Sequence, residues 1–177
     1  MKAIETKLKG CFILEPTIFE DSRGYFFEAF SKAKFEDLTK ANSDFVQDNQ
    51  SKSSYGVVRG LHQQIGEFAQ AKLVRVLEGK VLDVAVDVRE GSPTYGEHVA
   101  VELSAKNNRQ LYIPRGFLHG FSVLSDTATF FYKCDNVYNK ASEDGVHPLD
   151  KTLAIDWQIP FDKIILSDKD RDARAFI

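Results

Sequence analysis

The chain has four histidines, His62, His98, His119 and His147. Imidazole is the side chain best suited to taking and returning protons near neutral pH. His98 lies opposite the apolar set Val99 and Val101 in an alternating run, and His147 lies in the loop Gly145-Val146-His147-Pro148. Both positions read as polar residues that face water. His62 follows Arg59-Gly60-Leu61 in a run otherwise apolar or basic, and His119 ends Pro114-Arg115-Gly116-Phe117-Leu118-His119. The glycine of that second stretch supplies a bend that feeds a strand and turns the histidine inward. A hydrogen-bonded core histidine and a working one fit this spacing equally.

The Pro-x-Gly-x-x-His spacing resembles the second motif of cupin barrels. Metal-binding cupins supply His-x-His and then Glu from their first motif, but here the position two after His62 is Gln64. Glutamine is a poor transition-metal ligand, so the usual ligand set is incomplete and no metal or other cofactor is expected. A barrel without a metal needs organic acids and bases. Lys72 shares a strand face with Val74 and Val76, where an ammonium is costly unless an anion meets it; a snorkelling edge lysine is the plainer alternative. Tyr132 shares a face with Phe130 and Cys134, so it is a core tyrosine or a general acid held near a histidine. Asp170 lies in the charged tail Asp168-Lys169-Asp170-Arg171-Asp172 and, on its own, reads as a solvated charge.

These residues need a scaffold, and the chain reads as all-β. It has 177 residues, enough for one core without staples, and one domain over 1–177 is expected. Cys11-Phe12-Ile13-Leu14-Glu15 is a short strand closed by Pro16, and Gly24 to Phe30 is a second. Ser31 reads as the N-cap of a short helix with Phe35 and Leu38 on one face. Between Lys72 and Arg89 two alternating runs flank Glu78-Gly79, the pattern of a hairpin. In the second run Leu82, Val84, Val86 and Val88 alternate with Asp83 and Asp87. Further strands fall on Val99–Leu103, Leu111 to Pro114, Gly120 to Leu124 and Ala128 to Cys134, separated by turn residues such as Asn107-Asn108. Many short strands at regular spacing predict a jelly roll of the cupin type, a barrel or sandwich with short flanking helices. The tail after Ser167 is predicted to be a loop or short helix folding back on the barrel.

Composition narrows the partners. A net charge of -3 argues against nucleic acid but allows an anionic small ligand in a locally basic pocket. No stretch approaches a membrane span and the N-terminus lacks the apolar run of a signal peptide. Cys11 and Cys134 make no disulfide framework, so buried thiols in a cytoplasmic protein are expected.

Ordered segments run along nearly the whole chain: Asp21-Ser22-Arg23-Gly24-Tyr25-Phe26-Phe27-Glu28, Phe45-Val46-Gln47-Asp48-Asn49-Gln50-Ser51, Gly56-Val57-Val58-Arg59-Gly60-Leu61-His62, Ala69-Gln70-Ala71-Lys72-Leu73-Val74, Asp83-Val84-Ala85-Val86-Asp87, Ile113 to Phe121, and Tyr132-Lys133. Together they resemble the dTDP-4-dehydrorhamnose 3,5-epimerase family of cupin-like enzymes. The resemblance implies epimerisation at C3 and C5 of a dTDP-linked 4-keto-6-deoxysugar, on the way to dTDP-L-rhamnose. It implies His62 as base, Asp170 as the carboxylate that orients it, Tyr132 as acid and Lys72 as the cation at the C4 oxygen. It further implies substrate contacts from Arg23, Glu28, Gln47, Asp48, Asn49, Arg59, His119, Glu143 and Lys169, with Tyr138 stacking on the thymine. A homodimer is implied too, with the aromatic strands around Tyr25-Phe26-Phe27 available to pair across it. Three alternatives remain at this point: a relative that acts at one carbon or isomerises the ketone, a metal-dependent cupin, and a non-catalytic sugar-binding module.

Overall fold

The computed structural model describes residues 1–41 and 44–177. The strands are β1 (Lys2–Glu5), β2 (Phe12–Glu15), β3 (Phe19–Asp21), β4 (Gly24–Phe26), β5 (Gln47–Ser54), β6 (Val58–Gln64), β7 (Lys72–Glu78), β8 (Lys80–Asp87), β9 (His98–Ser104), β10 (Gln110–Ile113), β11 (Phe117–Val123), β12 (Thr127–Cys134) and β13 (Glu143–Gly145). Two short helices, α1 (Lys32–Thr39) and α2 (Asp168–Arg171), lie outside the sheets. No helix among the described residues is long and apolar enough to cross a membrane.

Six strands form one sheet in the order β1-β2-β10-β7-β12-β5, and five form the other in the order β13-β6-β11-β8-β9. Strands that follow one another in sequence are therefore often in opposite sheets, the mark of the expected jelly roll. Val74, Val76, Leu111 and Phe130 from the first sheet share one buried cluster with Val81, Ala85, Leu103 and Phe121 from the second. The core thus lies between two facing sheets.

The hairpin expected across Gly79 does not form. β7 pairs with β10 and β12, whereas β8 pairs with β11 and β9. Gly79, at φ +78°, is instead the corner where the chain leaves one sheet for the other. A β-carbon there would sit 2.0 Å from the Thr127 carbonyl oxygen, so only glycine lets the corner close. Alternation gives a strand two faces but does not name its partner.

β8 is buried on both faces. Leu82, Val84 and Val86 pack with Leu153 and Trp157 of the C-terminal segment, while Val81 and Ala85 face the opposite sheet. Asp83 and Asp87, the polar side of the pattern, are fully buried.

The second N-terminal strand is shorter than expected. β4 stops at Phe26 and pairs only with β3, as an exposed two-stranded ribbon. Phe30 leaves the strand path to pack on Phe35 and Phe45. Ser31 does occupy the N-cap position of α1, without a side-chain capping bond. Phe35 is buried with Thr39, one turn on, whereas Leu38 is exposed. Cys11 and Cys134 are buried free thiols.

Candidate active site

The C-terminal segment closes one end of the sandwich. Ile165 bridges Val57, and the Val58 and Ile165 backbones bond to this join on either side. The Ser122 hydroxyl donates to the Trp157 carbonyl and the Trp157 indole donates to Pro148, which fixes the chain leading there. Ser167 then caps α2, its Oγ accepting the Asp170 backbone N–H at 3.1 Å. The charged tail thereby points one carboxylate, Asp170, inward, and its side chain is 4% exposed.

Asp170 Oδ1 lies 2.5 Å from His62 Nε2. The two residues are 108 apart in sequence, so the tail does fold back onto the histidine. Burial works against ionisation of Asp170, but the His62 hydrogen bond and charge, with the Gly60 N–H, hold its carboxyl below the ordinary range. It is therefore an anion that fixes which ring nitrogen carries the proton.

β6 and β11 approach unusually closely at this point. A β-carbon on Gly60 would meet Gly120 Cα at 2.6 Å, and one on Gly120 would meet the Arg59 carbonyl at 2.6 Å. The register shifts between His119 and Phe121, and His119 pairs with His62 across the strands. On the other side of β6, Gly145 pairs with His62 and leaves room for its ring.

The resulting cavity has a volume of about 500 Å³. It opens between the sheets and is lined by Arg59, His62, Lys72, His119, Tyr132, Lys169 and Asp170 together with Ser51, Phe130 and residues 165–167. His62 and Arg59 enter from β6 of the five-stranded sheet, and Tyr132 and Lys72 from β12 and β7 of the six-stranded sheet. A ligand held between them has a histidine–carboxylate pair on one side and a phenol on the other. Burial, then Cys134, pushes the Tyr132 hydroxyl upward, so it keeps its proton at neutral pH. Lys72 is half-buried and lines this cavity, and desolvation pushes its ammonium downward against the pull of Cys134, Asp83 and Glu143. Its Nζ lies 5.9 Å from the Tyr132 ring centre.

Other predicted residues adjoin the cavity. Gln47 and Asn49 share the inner side of β5 with Ser51, and Gln47 Oε1 accepts the Tyr138 backbone N–H at 2.9 Å. Arg59 Nε donates to Ser53 Oγ at 3.1 Å. Glu143 pairs with Lys169 at 2.8 Å. Asp48 points the other way, to an ion pair with Lys133 on the outer face, because alternation sets it opposite Gln47 and Asn49. Arg23 is paired with Asp21 on the exposed ribbon and Glu28 with Lys34; neither lines the cavity. Gln64 is buried and structural, bonding to the Phe68 and Val137 carbonyls and to the Asn139 N–H. His147 is likewise local, accepting the Leu149 N–H, while His98 is half-buried rather than fully solvated.

Sequence reasoning missed Asp83 as a site residue. Its Oδ2 lies 3.0 Å from His119 Nε2, inside the sandwich. The available signal was that a strand apolar on both sides of its alternation is covered on both faces.

Residues 5–177 match the family model described as dTDP-4-dehydrorhamnose 3,5-epimerase. A curated protein of that name from Shigella flexneri is 50% identical over 177 residues, covering 100% of this chain and 97% of its own length. A crystal structure of the dTDP-4-dehydrorhamnose 3,5-epimerase from Elizabethkingia anophelis superposes with a TM-score of 0.96 at 61% identity, covering 99% and 96% of the two chains. The dTDP-6-deoxy-D-glucose-3,5-epimerase of Legionella pneumophila, solved with dTDP-4-keto-L-rhamnose, gives 0.94 at 49% identity over 98% and 92%. Sequence, fold and cavity agree, and the chain belongs to the dTDP-4-dehydrorhamnose 3,5-epimerase family.

Proposed function

We propose that this chain epimerises C3 and C5 of dTDP-4-dehydro-6-deoxy-D-glucose, giving dTDP-4-dehydro-L-rhamnose. The observation that carries this reading is the His62–Asp170 pair on one sheet facing Tyr132 and Lys72 on the other across one cavity.

Hydrogens at C3 and C5 both adjoin the C4 ketone. Each becomes removable when the electron pair it leaves can move onto the C4 oxygen. The Lys72 ammonium, desolvated in the cavity, meets that charge. His62 takes the proton through Nδ1, since Nε2 belongs to Asp170, and the carboxylate stabilises the imidazolium formed. Inversion requires the new proton to arrive from the other face, and Tyr132, with its proton held by burial, delivers it. Arg59 suits the diphosphate through bidentate contact, and Tyr138, 55% exposed, offers a free ring for the thymine.

Arg23 and Glu28 do not line this cavity. We assign them, with the exposed aromatics Phe19, Tyr25 and Phe26, to a homodimer contact in which one ribbon meets its partner. Sedimentation showing only monomer at micromolar concentration counts against that assignment.

The test is substrate in D₂O followed by proton NMR. Deuterium at both C3 and C5 is the expected result. Deuterium at one carbon only makes the chain a single-site epimerase, and exchange at neither overturns the reading.

A further inference from the structure

The reaction scheme leaves one carboxylate, buried behind the cavity-lining His119, unused. Asp83 is 0% exposed and shares its strand face with Val81 and Ala85, so its side chain enters the space between the sheets. Oδ2 meets His119 Nε2, but Oδ1 is buried with no hydrogen-bond partner. A buried ionised oxygen left so is rare and needs a charge nearby to offset it. Lys72 enters from the facing sheet, and the two groups act on each other: Asp83 raises the proton affinity of Lys72, and Lys72 lowers that of Asp83.

Burial alone would drive all three groups neutral. It pushes Asp83 upward and pushes His119 and Lys72 downward. Their partners oppose this without reversing its direction: Asp83 stays above the ordinary carboxylate range, and Lys72 and His119 stay below theirs. Lys72 is faced by Cys134 and Tyr132 from β12, by Glu143 from β13 and by Asp83 from β8. His119 is faced by Asp83, Lys72 and His62, and the Lys72 ammonium, like an imidazolium at His62, disfavours a charge on its ring.

We propose that Asp83 is a positioning residue for the proton transfers: its carboxylate fixes His119 as the neutral Nε2–H tautomer and keeps Lys72 an ammonium at the C4 oxygen. This rests on the epimerase reading above. Asp83 and Lys72 then cancel across a neutral imidazole, and a trio of no net charge fits a buried wall. His119 lines the cavity, and its Nδ1 has no hydrogen-bond partner among the described residues, so Nδ1 presents a lone pair to a ligand. It accepts a sugar hydroxyl and does not compete with Lys72 as donor to the C4 oxygen. When His62 removes the C–H proton, the electron pair forms the new C=C bond and the ketone π pair moves to oxygen. Lys72 meets that oxygen while keeping its proton.

The test is Asp83→Asn, close to isosteric. The amide keeps a hydrogen bond to His119 Nε2, through its oxygen or its NH₂, and removes the counter-charge of Lys72. Turnover should fall by about 10²-fold, the usual loss when one oxyanion stabiliser is removed. KM should change little, and the alkaline limb of kcat should move down by about 1 pH unit, the lower end of an opposite-charge effect. An alkaline limb that superimposes on the wild type, or a loss confined to KM, overturns the proposal. A second measurement covers a variant that fails to fold. ¹⁵N-histidine NMR of the wild-type protein should show His119 as neutral Nε2–H from pH 6 to 8, and an Nδ1–H tautomer or an imidazolium overturns the proposal. That spectrum does not depend on turnover, so it separates failure of this inference from failure of the epimerase reading.

Discussion

Asp170 can be tested by two substitutions whose order of severity is diagnostic. Asp170→Ala removes the carboxylate 2.5 Å from His62 Nε2. A hydrogen bond between charged groups contributes about 1.5–3 kcal/mol. His62 is 35% exposed, and solvent there screens the pair, so the lower half of that range applies. At about 1.4 kcal/mol per decade, kcat should fall roughly 10- to 40-fold. Asp170→Asn should be worse. The Gly60 N–H also bears on this carboxylate, so the amide oxygen turns to it and the amide NH₂ turns to His62. Nε2 must then accept, the ring proton moves to Nδ1, and the lone pair that should take the substrate proton is gone. Wrong-tautomer losses of this kind reach about 10⁴-fold. The assay is initial deuterium entry at C3 and C5 under saturating substrate at neutral pH, with a thermal melt to establish that each variant is folded. Asp170→Asn within about threefold of wild type would refute the pairing role. An alanine variant slower than the asparagine variant would refute the tautomer argument and leave only charge.

Two further outcomes follow from the structure. Tyr132→Phe removes the phenol proton but not the base, so deuterium exchange should survive better than formation of inverted product; equal loss of both, by NMR and product analysis, counts against the acid role. Asp87→Asn should destabilise the fold by about 3 kcal/mol, toward the low end for breaking a buried pair because Arg89 keeps some solvent. Asp87 accepts from Arg89 Nε and Nη2, the Arg89 N–H, Ser92 and Thr94. Burial opposes its ionisation, but these donors hold its carboxyl far below the ordinary range. A depressed carboxylate stabilises the fold above its unfolded pKa of about 3.9 and loses that contribution as pH falls toward the folded value. Denaturant melts should therefore show a shallower acid limb in the variant, and parallel limbs would contradict the assignment.

The strands legible in sequence are those whose inner face meets the core, such as β9 with Val101 and Leu103 and β12 with Ala128 and Phe130. β5 escaped because its inner face meets the cavity. Its partly buried positions are Gln47, Asn49, Ser51 and Ser53, so a strand with a clear period in burial has no period in hydropathy. β6 is broken in the same way by Arg59, Gly60 and His62. Local pattern fails where chemistry has displaced packing. Which strands share a sheet was not legible either, since turn residues such as Gly79 serve a hairpin and a corner alike. The reach of Asp170 to His62 spans 108 residues and depends on the Ile165 bridge, which no local signal announces.

The jelly roll is more than a support for these groups. A base and an acid must stand on opposite faces of one sugar ring without neutralising each other. Two facing sheets meet that need, because each presents every second side chain to the gap. His62 and Tyr132 come from different sheets, and no hydrogen bond joins them among the described residues. The two histidines of the gap are instead anchored on their own side. Asp170 reaches His62 from the closing segment, and Asp83 reaches His119 from the neighbouring strand. Lys72 faces its counter-charge across the gap, from β7 to Asp83 on β8, and Arg59 crosses the other way to Ser53. Lys72 and Asp83 flank the Gly79 corner, so the bend that replaces the expected hairpin also sets Lys72 in one sheet opposite Asp83 in the other.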